Sequence, residues 1–148
     1  MNKPKILFLC TGNSARSQMA EGLLRAMAGE QFDIFSAGTE PTGSILPEVQ
    51  EVMREIGVDI SSQYSKSVKE YLGKAHFAYV ITVCADAEKN CPVVFLNMGK
   101  HEHWPFDDPA QFDPRTRLAR TRDVRNQIEA RLRSWLSAQG LTPHEFRV

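Results

Sequence analysis

Residues Lys5-Ile6-Leu7-Phe8-Leu9-Cys10 form an apolar run that stops at a turn of small polar residues, Thr11 to Ser14. Arg16 then opens a stretch with helical spacing. An uninterrupted apolar run of that length suits a strand buried on both faces, as in a parallel sheet. Met19, Leu23 and Met27 recur every four residues with Ala20 and Leu24 beside them, and Gly29 is placed to stop the helix. A buried strand that feeds a tight turn and then a helix commits the chain to α/β order, because a parallel neighbour is reached only by a crossover.

The rest of the chain continues the alternation. Phe32 to Phe35 reads as a second strand running into Ser36-Ala37-Gly38, and Gly38 to Ser44 as a loop. Pro47 to Ile56 reads as a helix with proline in its first turn, with Val49, Val52, Met53 and Ile56 facing inward and Gly57 as its stop. Ser67 to Leu72 suits a short helix. Phe77 to Val83, rich in β-branched and aromatic residues, is the strongest strand, and Val93 to Leu96 reads as a fourth. Ala85 to Asn90 between them holds helix formers but has little length. The polar stretch from Asn97 to Pro114, punctuated by Pro105, Pro109 and Pro114, reads as loop. Helical pattern returns from about Arg115 to Gln139, with Leu118, Val124, Ile128, Leu132, Trp135 and Leu136 as its apolar stripe. The expected fold is a single α/β domain over residues 1–148, with a four-stranded, mainly parallel sheet and helices on both faces.

Composition narrows the function classes. A chain of 148 residues fits one ordinary domain. Its 18 Lys+Arg balance 18 Asp+Glu, which excludes a highly charged disordered chain and weakens bulk attraction to nucleic acid or an anionic membrane, leaving only a local basic patch open. No segment approaches the ~18 apolar residues of a membrane span. The N-terminal apolar run is too short for a secretory h-region. Three cysteines in such a chain are expected to be reduced thiols in the cytoplasm, with catalytic, redox or metal-binding roles. No long exposed apolar stripe is evident, so a monomer is expected.

Cys10-Thr11-Gly12-Asn13-Ser14-Ala15-Arg16-Ser17 is the most informative stretch. It lies at the carboxyl end of a strand, where open α/β sheets bind ligands. Small residues at Gly12, Asn13, Ser14 and Ala15 let the backbone curl until several N–H groups converge, and with a helix N-terminus they make an anion site that needs no metal. Arg16 adds a fork matched to a tetrahedral oxyanion. The same field favours the thiolate of Cys10, and Ser17 is placed to hydrogen-bond it. A buried cysteine beside an ordinary turn is the competing explanation, but it does not account for strand, glycine turn and helix occurring in that order.

Cys84 ends the strongest strand and Cys91 follows after six residues. If that strand neighbours the first, Cys84 emerges on the same sheet edge as Cys10 and can attack a sulfur-bound adduct there; Cys91 can then attack Cys84. Core packing for Cys84 and a chance surface thiol at Cys91 are the alternatives. A zinc site from Cys84, Cys91, His101 and His103 has a spacing that fits no common pattern. Phosphoryl-type chemistry on Cys10 also needs a general acid, and Trp104-Pro105-Phe106-Asp107-Asp108-Pro109 offers Asp107 or Asp108 on a proline-stiffened loop. The arginines at 115, 117, 120, 122, 125, 131 and 133 read as a solvated helix face rather than an RNA-binding surface.

With these residues in place, the chain resembles the thioredoxin-linked arsenate reductases built on the low-molecular-weight protein tyrosine phosphatase fold. The resemblance is carried by Cys10 through Glu21, by Ser36-Ala37-Gly38-Thr39, by Val83 through Ala87 with Cys91-Pro92, and by Trp104 through Pro109. It implies that Cys10 attacks arsenate while Thr11, Gly12, Asn13, Ser14, Ala15, Arg16 and Ser17 hold the oxyanion. It implies Asp108 as general acid, a Cys10–Cys84 disulfide that releases arsenite, and a Cys84–Cys91 disulfide presented to thioredoxin. Phosphate and sulfate are implied competitors. Related enzymes bind potassium, and Asn13, Glu21 and Ser36 match ligands of that site. Where those relatives place an aspartate after the position of Ser65, this chain has Lys66, whose ammonium replaces the cation electrostatically and counts against a potassium requirement.

A phosphatase without a redox cycle is the runner-up. Ala15, Gln18 and Ala110 depart from that family's usual second loop cysteine, proline and tyrosine, and Cys84 and Cys91 would have no purpose in it. An anion-binding module without turnover is a third reading, separated from the others by loss of chemistry on Cys10→Ser.

Overall fold

Four strands make one parallel sheet in the order β2-β1-β3-β4, with β1 (Lys5–Cys10) and β3 (Tyr79–Thr82) inside and β2 (Asp33–Gly38) and β4 (Lys100–His103) at the edges. This computed structural model describes residues 3–71, 73–85 and 99–147. The α-helices are α1 (Arg16–Ala28), α2 (Pro47–Arg54) and α3 (Arg117–Ala138), and 3-10 turns occupy Val68–Glu70 and Pro109–Gln111. No helix among the described residues is long and apolar enough to cross a membrane.

β1 is central because nearly its whole length is apolar, and Ile6 through Cys10 are all buried. Its alternate side chains serve two cores. Ile6, Phe8 and Cys10 join α1, α2 and α3 in the larger one, and Leu7 and Leu9 join Ala37, Val68, Phe77 and Val80 in the smaller. Both faces are thus covered, but unevenly: the three α-helices share one face, and the turn Val68–Glu70 with an edge-to-face trio of Phe35, Tyr71 and Phe77 closes the other.

Two sequence expectations change. The stretch from Asn97 to Pro114 is not all loop, because Lys100–His103 pairs in parallel with β3. This strand carries no apolar residue, as an edge position allows: its side chains are half-buried or exposed, and Glu102 and His103 find polar partners. Leu118 is not part of the α3 stripe but exposed at 39%, because the first turn of α3 overhangs the core. The stripe begins at Thr121, buried with its hydroxyl bonded to the Arg117 carbonyl at 2.6 Å. The expected strand at Val93 to Leu96 and all but the first residue of Ala85 to Asn90 lie outside the described residues.

Arg120 and Arg131 of α3 are exposed, as a solvated face requires, but Arg122 and Arg125 are committed within the chain. Arg125 is buried and donates to the Val52 carbonyl at 2.7 Å and to Glu55 at 3.0 Å, while Arg122 grips Glu55 at 2.8 and 2.6 Å. The Arg122 hydrogen bonds, with those of Arg125 and both charges, outweigh burial and pull the Glu55 carboxyl from 4.5 to about 2. A depressed acid pKa stabilises the fold above the unfolded value and loses that contribution as pH falls through the folded one. The wild type minus Glu55→Gln difference in unfolding free energy is expected to be about 1–2 kcal/mol at neutral pH. It should vanish between about pH 4.5 and 2, as read by urea melts across that range.

Candidate active site

The turn after β1 is held open from behind. Its carbonyls, Thr11 to Ala15, accept from the Glu40, Thr42, Leu46 and Met19 amides at 2.9–3.0 Å and from Gln18 Nε2 at 3.1 Å, with Ser65 Oγ adding a bond to the Gly12 carbonyl at 3.2 Å. In a trans peptide the carbonyl and the next N–H point opposite ways. Tying those carbonyls outward therefore turns the amides of Gly12 through Arg16 to the concave side. Asn13 shows the result directly, since its N–H reaches Cys10 Sγ at 3.2 Å. No side chain caps the N-terminus of α1, which leaves the first-turn amides facing the same cradle.

Asn13 is the only non-glycine residue with positive φ among the described residues, at 48°. Asparagine tolerates this left-handed conformation better than most residues, and here its side chain is fixed at both ends. Oδ1 accepts from the Lys66 amide at 2.9 Å and from Gln18 Nε2 at 2.8 Å, which orients Nδ2 toward Ser17 Oγ at 2.7 Å and Ser36 Oγ at 3.1 Å. With one Ser17 lone pair taken by Asn13, the hydroxyl can turn its proton to Cys10 Sγ, 2.8 Å away. That is the polarity a thiolate requires. Cys10 is a free thiol, 2% exposed.

Arg16 is buried beneath the mouth of the cradle and joins it to the loop after β4. Its Nη1 donates to the Phe106 carbonyl at 3.2 Å, and its Nη2 lies 3.5 Å from Asp108 Oδ2. Asp108 also caps the turn Pro109–Gln111 through Oδ1 and the Ala110 amide at 3.0 Å, which leaves Oδ2 aimed at the guanidinium. Asp107 is exposed. Of the two aspartates offered by the sequence, Asp108 is the one joined to the cradle.

β1 and β3 are parallel neighbours with Leu9 level with Thr82, so Cys84 leaves the sheet at the same edge as Cys10. Cys84 is buried and disulfide-bonded while Cys10 is free, so the bond does not join those two. Cys91 lies outside the described residues, which leaves the zinc set of Cys84, Cys91, His101 and His103 incomplete there. Among the described residues no three His, Cys, Asp or Glu side chains gather as a metal site, and His103 Nδ1 meets Thr82 Oγ1 at 2.7 Å.

Sequence reasoning missed three groups. Gln18 and Gln63 interlock, Gln63 Nε2 donating to the Gln18 carbonyl and Oε1 at 3.0 and 2.8 Å. Gly38 packs under the turn, where a Cβ would meet the Thr11 carbonyl. Glu102 accepts the indole N–H groups of both Trp104 and Trp135, at 3.0 and 3.1 Å, and so anchors the start of the Asp108 loop. Only Gln18 had a local signal, its place two residues after Arg16; Gln63 and Gly38 act across long sequence separations, as does the bond of Glu102 to Trp135.

A family model for low molecular weight phosphotyrosine protein phosphatase matches residues 5–143. Among curated proteins, "Arsenate reductase 2" of Staphylococcus haemolyticus is 42% identical over 132 residues, covering 88% of this chain and 97% of its own length. Among solved structures, an arsenate reductase in the phosphate binding state aligns with a TM-score of 0.73 at 28% identity, over 91% of this chain and 98% of that one. A thioredoxin-dependent arsenate reductase from Corynebacterium glutamicum aligns with a TM-score of 0.67 at 32% identity, over 93% of this chain and 62% of that one.

Proposed function

The chain belongs to the low molecular weight phosphotyrosine protein phosphatase family, and from that premise we propose that it is an arsenate reductase regenerated by thioredoxin. The observation that carries the reading is two cysteines at one sheet edge, one a free thiol under an amide cradle and the other buried and oxidised. A phosphatase has use only for the first.

The cradle amides and Arg16 bind arsenate above Cys10. The Cys10 thiolate attacks arsenic, and an oxygen leaves as water with a proton from Asp108, giving a sulfur-bound As(V) adduct. The Cys84 thiolate then attacks Cys10 sulfur. The S–As bond breaks with its electron pair going to arsenic, so As(V) becomes As(III), arsenite leaves and a Cys10–Cys84 disulfide remains. Cys91 attacks Cys84 and frees the Cys10 thiolate. Thioredoxin supplies two electrons to the Cys84–Cys91 disulfide. An oxidised Cys84 beside a free Cys10 is the state expected just before that reduction. Thr11 through Ser17 serve as the oxyanion-binding stretch. The protein acts as a cytoplasmic monomer, where thioredoxin maintains dithiols, without nucleic acid or membrane partners. A weak phosphatase side activity follows from the shared shape and charge of phosphate and arsenate.

The test is arsenate-dependent NADPH oxidation coupled through thioredoxin and thioredoxin reductase. Sustained oxidation with only slow p-nitrophenyl phosphate hydrolysis is expected; rapid hydrolysis without oxidation would make the chain a phosphatase.

The potassium ligands implied by resemblance do not fit a metal ion in this chain. Lys66 Nζ lies 3.4 Å from Ser36 Oγ and 3.7 Å from Glu21 Oε1, within the ligand set itself.

A further inference from the structure

We propose that Lys66 is a covalently tethered monovalent cation for the oxyanion cradle, and that removing its ammonium creates a site for a free monovalent cation of similar size. The inference rests on reading the Cys10 turn as an oxyanion cradle, not on arsenate being its substrate.

The ammonium sits in a cage of oxygens. It donates to the Tyr64 carbonyl at 3.1 Å and to Ser36 Oγ at 3.4 Å, faces Glu21 Oε1 at 3.7 Å, and lies 4.8 Å from the centre of the Tyr64 ring. Lys66 and Glu21 are 7% and 6% exposed, so the lysine charge is met by the carboxylate, which it shares with Arg25, with little help from water. Burial pulls the lysine below its usual pKa and Glu21 opposes that pull. The second Glu21 oxygen is engaged by Arg25 Nη2 at 2.7 Å, which leaves Oε1 to the cage.

The cage is coupled to the nucleophile through hydrogen bonds of fixed direction. Ser36 donates to Glu21 Oε1 at 2.5 Å and accepts from Asn13 Nδ2; Asn13 also donates to Ser17, and Ser17 meets Cys10. The backbone amide of the same Lys66 holds Asn13 Oδ1. Removing the ammonium leaves a buried carboxylate oxygen, a hydroxyl and a carbonyl around a gap, with Arg25 the cation that still faces the Glu21 carboxylate from its other oxygen. Either Ser36 and Glu21 then shift into the gap and loosen Asn13, or a cation enters. Potassium and ammonium ions are close in size to the lysine head group and meet only oxygen ligands there, which suits hard monovalent ions.

The full-length protein and Lys66→Ala would be compared at constant ionic strength in choline, potassium and ammonium chloride. Three readouts apply: arsenate turnover, the rate at which iodoacetamide alkylates Cys10, and melting temperature. The wild type should be indifferent to the cation in all three. Lys66→Ala in choline should lose roughly tenfold in turnover and alkylate more slowly. Potassium or ammonium should restore at least half of both losses and raise the melting temperature of the variant alone. Lys66→Met, which keeps the apolar stem, should show the loss with weaker rescue, and it carries the comparison if the alanine variant does not fold. Potassium activation of the wild type would overturn the proposal, as would full activity of both variants in choline or a loss that no cation reverses. Alkylation and melting do not involve arsenate, so they decide the matter even if the protein proves not to reduce it.

Discussion

Cys10→Ser is expected to abolish multiple-turnover arsenate reduction, by more than about 10³-fold, while phosphate still binds the cradle. The amides that face the oxyanion are set by carbonyl tethers and do not depend on the sulfur. The other two cysteines should stop the cycle at different points. Cys84→Ser should form the arsenic adduct on Cys10 and release no arsenite, because no thiolate stands at the same sheet edge to take the sulfur. Cys91→Ser should release about one arsenite per molecule and then stall as a Cys10–Cys84 disulfide. Rapid-quench measurement of arsenite together with mass-spectrometric disulfide mapping separates the three. A Cys91→Ser variant that turns over repeatedly at the wild-type rate would remove Cys91 from the relay, and arsenite released by Cys84→Ser would remove Cys84.

The chemistry of this site was legible because so much of it is local. Cys10, the small residues after it and Arg16 lie within one strand–turn–helix, where spacing along the chain fixes spacing in space. Cys84 needed one further inference, that its strand neighbours the first, and the parallel register supplies it. From the residues alone Asp108 and Asp107 were equivalent, and only the resemblance pointed to Asp108. What separates them is a turn whose first amide binds Asp108 and a guanidinium that reaches it from the start of α1, after β1.

The supports of the cradle were not legible, for the opposite reason. Lys66 and Asn13 are 53 residues apart, and Gln63 and Gln18 are 45 apart. No periodicity connects them. β4 escaped notice because Lys100–His103 is written in polar residues, and an edge strand that shows one side to water has no need of the apolar pattern by which strands are recognised. Glu102 on that strand could not be given a role until both indoles were seen to point at it. Helix α3 shows a smaller failure of the same kind: Leu118 fits the period, but the core it would have joined begins one turn later.

Two glycine-to-alanine substitutions separate the cradle from the core. At Gly38 a new Cβ would lie 2.5 Å from the Thr11 carbonyl oxygen, 3.0 Å from the Asn13 amide nitrogen and 3.1 Å from Asn13 Cβ. Two of these atoms are backbone of the turn, and Gly38 itself is held in register opposite Cys10 and by its amide to the Lys66 carbonyl at 3.0 Å. The strand cannot retreat, so the turn must. At Gly22 the nearest atoms are Ile60 Cγ2 at 2.7 Å, Met53 Cε at 3.1 Å and Gln63 Oε1 at 3.3 Å, all ends of side chains. Those ends can yield at the expense of packing. Gly22→Ala is therefore expected to lower stability by about 1–3 kcal/mol and to leave kcat/KM within about twofold of wild type. Gly38→Ala should lower kcat/KM by roughly 10²-fold, because displacing the Asn13 amide by even a fraction of an ångström spoils its alignment with Cys10 and the oxyanion. Phosphate affinity, read by calorimetry, should fall with it. If Gly38→Ala keeps wild-type turnover and phosphate affinity, the turn yields without cost, and the tethered carbonyls are not what fixes the cradle amides.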